Sequence, residues 1–144
     1  MNLDLAGHLR RHKKSFTKVR GEIWQVLSQS EKPLSTKEIH SRVTRTCGAD
    51  LATIYRNLGA LKSAGLVKEV DLRENSRRWE SVIPGRHVHH ITCETCGRVE
   101  KLHHCSLGKM ADTIESELGY ILKDHYLEYF GICPNCQRTL TVDR

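Results

Sequence analysis

At 144 residues, 38% of them hydrophobic and 28% charged, the chain has room for one ordinary domain or two small ones, and a small domain buries too little surface to be comfortable alone. No run approaches the roughly 20 apolar residues of a membrane span, and the opening MNLDLAGHLRRHKK has basic residues with no apolar core behind them, so a cytoplasmic protein with no membrane partner is expected. The formal net charge of +6 suits a polyanionic partner, but its placement says more: residues 1–82 carry 16 Lys and Arg against 9 Asp and Glu, and residues 83–144 carry 7 against 8.

Cysteine and histidine divide the other way, with five of six Cys and six of nine His after residue 83. One half looks built for phosphates and the other for metal. In a reducing compartment, cysteines at CxxC spacing point to metal or redox chemistry before disulfides.

In chain order, Val19, Ile23, Val26 and Leu27 recur at helical spacing. Leu34, Ile39 and Val43 follow Pro33, with Ser35 as N-cap and Glu38 three residues on, the signature of a capping box. A third helix is predicted from Leu51 to Ser63, with Ile54, Leu58 and Leu61 inward and a stop at Ala64-Gly65. LVKEVDL and RRWESVI then read as strands joined by a turn at ENS. Three helices and a hairpin are the winged-helix order.

Past Ile83-Pro84-Gly85 the pattern changes to short strand-like runs, His87 to Thr92 and Arg98 to Leu102. A helix is predicted from Ser106 to Leu118, with Leu107, Met110, Ile114 and Leu118 on one face, then strands from Tyr120 to Ile132 and a frayed tail over 137–144. The expected fold class is α+β: a winged-helix DNA-binding domain over 1–83, a hinge at 84–86, and a small α/β metal-binding dimerisation domain over 87–144.

Cys93 with Cys96 in CETCG and Cys133 with Cys136 in CPNC form two chelating pairs with 36 residues between them. Each pair has the spacing that places both sulfurs on one tetrahedral ion, so a four-cysteine structural zinc site is expected, with redox dithiols or disulfides as the alternatives. With no open position it would contribute folding energy and no catalysis. His-x-Glu and HExxH are both absent, so neither a zinc deaminase nor a zinc protease is expected, nor any small-molecule substrate.

Thr53, Tyr55, Arg56 and Asn57 fall on the first turns of the third helix, where a recognition helix presents side chains to the major groove. The alternative for Tyr55 is a half-buried core aromatic. Arg10, Arg11, Lys13, Lys14, Lys18 and Arg20 make a basic stretch suited to phosphates or a narrow minor groove, or simply a solvated helix face.

With GADLATIYRNL, RWE, HVHHITCETCG and YLEYFGICPNC in hand, the chain resembles the ferric uptake regulator (Fur) family of bacterial metal sensors, from about residue 8 to 136. The resemblance implies a winged helix, a hinge, a dimerisation domain, and repression of metal-homeostasis genes from inverted-repeat operators bound by a homodimer. It also implies two interleaved sets of sensory ligands. The positions of one set hold Pro33, Glu80, Val88 and His90, so two of its four ligands are missing.

The positions of the other set hold His87, His89 and His125, with Gly108 in place of the usual helix acid. One turn earlier stands Cys105, and a cysteine at this helix start is similar to the zinc uptake regulator (Zur) branch. Three histidines and a thiolate make a tetrahedral N/S set, which favours zinc as the second, regulatory metal over iron or manganese. Cys105 has a bland alternative as a small buried residue, and His104 could take its place. His103 reads as solvated, His90 as hydrogen-bonded in a domain interface, and Cys47 as structural. Beside a zinc-responsive repressor stand an iron-, manganese- or nickel-responsive member of the same family, and a zinc-stabilised DNA-binding scaffold without a switch.

Overall fold

The computed structural model describes residues 4–72, 77–83, 87–105, 107–123 and 125–142. The chain divides into two units, Met1–Pro84 and Gly85–Arg144. The expected hinge at 84–86 and the ENS turn lie outside the described residues.

The first unit opens with α1 (Leu5–Arg11), which sequence periodicity does not announce because only Leu5 and Leu9 are large and apolar. Asp4 caps it, Leu9 is fully buried, and His8 Nε2 lies 2.8 Å from the Ala64 carbonyl, to which it donates. Then come α2 (Lys18–Ser28), the two-residue β1 (Leu34–Ser35), α3 (Thr36–Cys47) and α4 (Leu51–Ser63). Asp50 caps α4, and Gly65 at φ 68° lets the chain turn out of it, a left-handed conformation that glycine adopts without strain.

The wing is β2 (Val67–Val70) and β3 (Arg78–Ser81), antiparallel, with Lys68 opposite Glu80 and Glu69 opposite Trp79. The sheet order is β1-β3-β2. Ile23, Leu27, Ile39, Val43, Ile54, Leu58, Leu61 and Trp79 close one core, as the helical spacing requires. Trp79 Nε1 donates to Thr36 Oγ1 at 3.1 Å, and Arg78 Nη1 meets Glu38 Oε2 at 3.0 Å, so the wing is keyed to the start of α3.

The second unit is β4 (His89–Cys93), β5 (Val99–Leu102), α5 (Gly108–Leu118), β6 (Glu128–Gly131) and α6 (Pro134–Val142). Its sheet runs β5-β4-β6, with β4 antiparallel to β5 and parallel to β6. Two expectations need correction. Of the strands expected from Tyr120 to Ile132, only Glu128–Gly131 pairs among the described residues; and the tail is helical to Val142, because Pro134 sits at the first helical position, where a missing N–H costs nothing.

α5 buries none of its side chains, and Met110, Leu118, Tyr120, Ile121 and Tyr126 are each more than half exposed. Among the described residues, the only ones of this unit buried as whole residues are His89, His90, Thr92 and Cys93. Its interior is therefore made of metal-ligating chemistry more than of hydrocarbon.

The capping box at α3 is complete: Ser35 Oγ accepts from Glu38 N, and Glu38 Oε2 accepts from Ser35 N at 2.7 Å. Burial raises the Glu38 pKa, but the Ser35 bonds and Arg78 outweigh it and hold the group below its ordinary 4.5. A depressed carboxylate stabilises the fold above its unfolded pKa and loses that contribution as the pH falls through the folded one. Ser35→Ala should cost about 1 kcal/mol in urea unfolding at neutral pH, and Glu38→Gln should flatten the acid limb below pH 4.5. An unchanged acid limb would mean that Glu38 is not among the groups that set it.

Candidate metal centre

Parallel pairing of β4 with β6 sets His90 opposite Glu128 and Cys93 opposite Gly131. The residues flanking these strands then meet at both ends. At the carboxyl ends, Cys93 closes β4, Cys96 sits in the following turn, and Cys133 and Cys136 lie at the entry to α6. At the amino ends, His87 and His89 approach His125 and Cys105.

The four cysteines gather with their sulfurs within 4.8 Å of one another, and Cys96 Sγ is 3.8 Å from Cys133 Sγ. Sulfurs at metal–sulfur distances of about 2.3 Å on a tetrahedron stand about 3.8 Å apart, so the set fits a tetrahedral ion. Cys133 N donates to Cys93 Sγ at 3.3 Å. This donor, with the Cys96 and Thr95 amides, outweighs burial and lowers the Cys93 pKa to about 6. Cys136 is pushed up to about 12, first by the Cys133 side chain, then by burial and by Cys96 and Cys93. In the free cluster Cys93 is ready as a thiolate while Cys136 keeps a proton among its neighbours.

At the other end three imidazole nitrogens converge. His87 Nε2 is 3.0 Å from His89 Nε2 and 2.8 Å from His125 Nε2, and His125 Nε2 is 3.3 Å from His89 Nε2. Cys105 Sγ lies 3.5 Å from His125 Nε2, and no carboxylate among the described residues joins this cluster. His89 Nδ1 is 3.1 Å from the Leu127 carbonyl. A carbonyl only accepts, so Nδ1 carries the proton and Nε2 presents its lone pair to the cluster.

Glu80, His90 and His104 join neither cluster. Glu80 is buried in the wing, 3.8 Å from Lys68 Nζ, and His90 Nδ1 is 3.4 Å from Glu128 Oε1. His103 and His104 are exposed, while Cys47 is half-buried with its thiol on the Val43 carbonyl at 3.3 Å. Glu128 and the Leu127 carbonyl escaped the sequence reading; the only signal was a carboxylate inside the apolar run YLEYF.

On α4, Tyr55 is 55% exposed and Arg56 stands beside it with Nη2 on Thr53 Oγ1 at 3.1 Å. Asn57 turns back to the Thr53 carbonyl at 2.8 Å, and Thr53 itself is half-buried. Lys13 and Lys18 are exposed; Lys14 is half-buried, and Arg20 Nη1 is engaged with the Ser15 hydroxyl at 3.2 Å.

A winged helix whose α4 exposes Tyr55 and Arg56, followed by a unit carrying clustered metal-ligating side chains, is the architecture of a metal-responsive transcription regulator. The chain belongs to the ferric uptake regulator family, whose model matches residues 12–130. It is 33% identical over 108 residues to the ferric uptake regulation protein of Synechococcus elongatus, covering 74% of each chain. It is 31% identical over 131 residues to that of Neisseria meningitidis serogroup A, covering 87% of this chain and 90% of the relative. Its fold superposes on the ferric uptake regulator from Pseudomonas aeruginosa with manganese at a TM-score of 0.75 and 25% identity, covering 89% of this chain and 96% of that one. Members of this family regulate transcription and are not enzymes.

A divalent metal entering the four-cysteine cluster has to displace the proton held at Cys136. Affinity measured by chelator competition should therefore fall at least about tenfold for each unit of acidification below neutrality. Affinity independent of pH would show that the cluster is already fully deprotonated.

Proposed function

We propose that this chain is a zinc-responsive transcriptional repressor that binds inverted-repeat operator DNA as a homodimer when His87, His89, Cys105 and His125 hold zinc. Cys93, Cys96, Cys133 and Cys136 hold a second, structural zinc. The observation that carries this reading is the cluster of three imidazole nitrogens and one sulfur, which no carboxylate among the described residues joins. A tetrahedron with metal–nitrogen bonds of about 2.0–2.1 Å has edges of about 3.3 Å, and the 2.8 to 3.3 Å nitrogen separations sit at or just under that value.

Bound there, the ion supplies a crosslink among four ligands. His87 follows residues 84–86 directly, so restraining it on His89, Cys105 and His125 restrains the chain where the two units join. In a dimer that restraint bears on whether both α4 helices reach successive half-sites. A coupling of about 1 to 3 kcal/mol changes operator affinity about 5- to 150-fold, enough for a switch. Tyr55, Arg56, Lys13 and Lys18 are the exposed groups that meet DNA. The dimer reading draws on the open apolar surface of the second unit, with Met110, Leu118 and Ile121 exposed.

A second reading is an iron or manganese sensor. It draws on the relatives named for ferric uptake and on the manganese carried by the Pseudomonas structure. Against it stands the soft donor set, since those metals favour carboxylates.

The experiment is binding to an inverted-repeat duplex selected from a random pool, under buffered free zinc, iron(II), manganese and nickel. Zinc alone should activate binding, and Cys105→Ala should weaken that response by at least about tenfold. Activation by iron(II) or manganese alone would sink the zinc reading. Metal-independent binding would leave a zinc-stabilised DNA scaffold without a switch.

A further inference from the structure

β4 places two histidines side by side, and both lean on β6 through Nδ1. His89 Nδ1 meets the Leu127 carbonyl at 3.1 Å, while on the opposite face of the sheet His90 Nδ1 meets Glu128 Oε1 at 3.4 Å. His90 is fully buried, the Glu128 side chain is 7% exposed, and Glu128 Oε2 has no hydrogen-bond partner among the described residues. A nearly buried carboxylate with one long contact and an orphaned oxygen is a poor way to glue strands together, because an apolar pair of similar volume would do so without the desolvation penalty. Its effect is to discriminate between strand registers.

A slip of one residue moves a strand about 3.3 Å and turns Glu128 to the other face, away from His90. A slip of two sets Glu128 opposite Thr92, with its carboxylate beyond the reach of His90. Only the observed register, His90 opposite Glu128, also brings the Leu127 carbonyl to His89 Nδ1. That carbonyl fixes the tautomer that leaves His89 Nε2 bare, 3.0 Å from His87 Nε2.

The geometry points to Glu128, acting through His90, as a positioning residue for the histidine–cysteine cluster: it holds the Leu127 carbonyl on His89 and so sets the cluster's metal affinity. Glu128 touches no ligand of the cluster. The inference rests on the reading of His87, His89, Cys105 and His125 as a metal site.

The test is a cobalt(II) titration of the whole chain with zinc left only in the four-cysteine cluster, following the ligand-field bands of the histidine–cysteine cluster while zinc retained per chain reports on the four-cysteine cluster. Glu128→Ala should lower cobalt affinity about 10- to 100-fold and shift the bands. Glu128→Gln keeps an oxygen that accepts from His90 Nδ1–H and should restore both to near the wild type, with retained zinc unchanged in each variant. Wild-type affinity and bands in Glu128→Ala, or equal impairment of the Ala and Gln variants, overturns the positioning role. Loss of structural zinc from either variant overturns it in favour of a role in folding. If His125→Ala leaves wild-type cobalt binding untouched, the metal-site reading itself falls, and the positioning role with it.

Discussion

The parallel contact between β4 and β6 is the constraint on which the second unit depends. Parallel strands cannot be joined by a tight turn, so β5 and α5 intervene and the partners come from segments some 38 residues apart. One pairing puts four sulfurs together at one end of the strands and three imidazoles with a fifth sulfur at the other. Neither cluster could form from its local motif alone: CETCG needs CPNC, and HVHH needs His125.

The two units solve the stability problem differently. The first closes a hydrocarbon core from four helices and a wing, and ties that wing to α3 through Trp79–Thr36 and Arg78–Glu38. The second buries histidine, threonine and cysteine and leaves Met110, Leu118, Tyr120 and Ile121 in solvent. On the proposed reading, an interior of that composition is stabilised by the metals its ligands hold and by a second copy over the apolar face. Metal chemistry and folding therefore overlap in this unit to a degree they do not in the first.

Much of this was legible in the residues. Helical spacing marked α2 and α3 without fixing both their ends, and marked α4 from Leu51 to Ser63, because Ser35 and Gly65 carry local instructions that tertiary contacts had no reason to override. The two CxxC pairs marked their cluster for the same reason. α1 was hidden since its burial hangs on Leu9 alone, and α6 since a CPNC knuckle reads as a metal ligand before it reads as a helix start. The stretch 120–132 has strand-like composition throughout, but among its described residues only Glu128–Gly131 finds an edge to pair with. The assembly of His87, His89, Cys105 and His125 required family resemblance, because spacing alone does not bring positions 38 apart together. The β6 partners of His89 and His90 depend on strand register, which no local pattern encodes.

The long separation of β4 from β6 also has a temporal side. Chains are made from the amino terminus, and domains fold as units when they emerge. The winged helix is built largely from helices adjacent in sequence and so acquires its shape early, whereas the metal-binding sheet cannot close until residue 131 and the cysteines after it have left the ribosome. During synthesis the surface that reads DNA thus precedes the sheet that gathers the metal ligands.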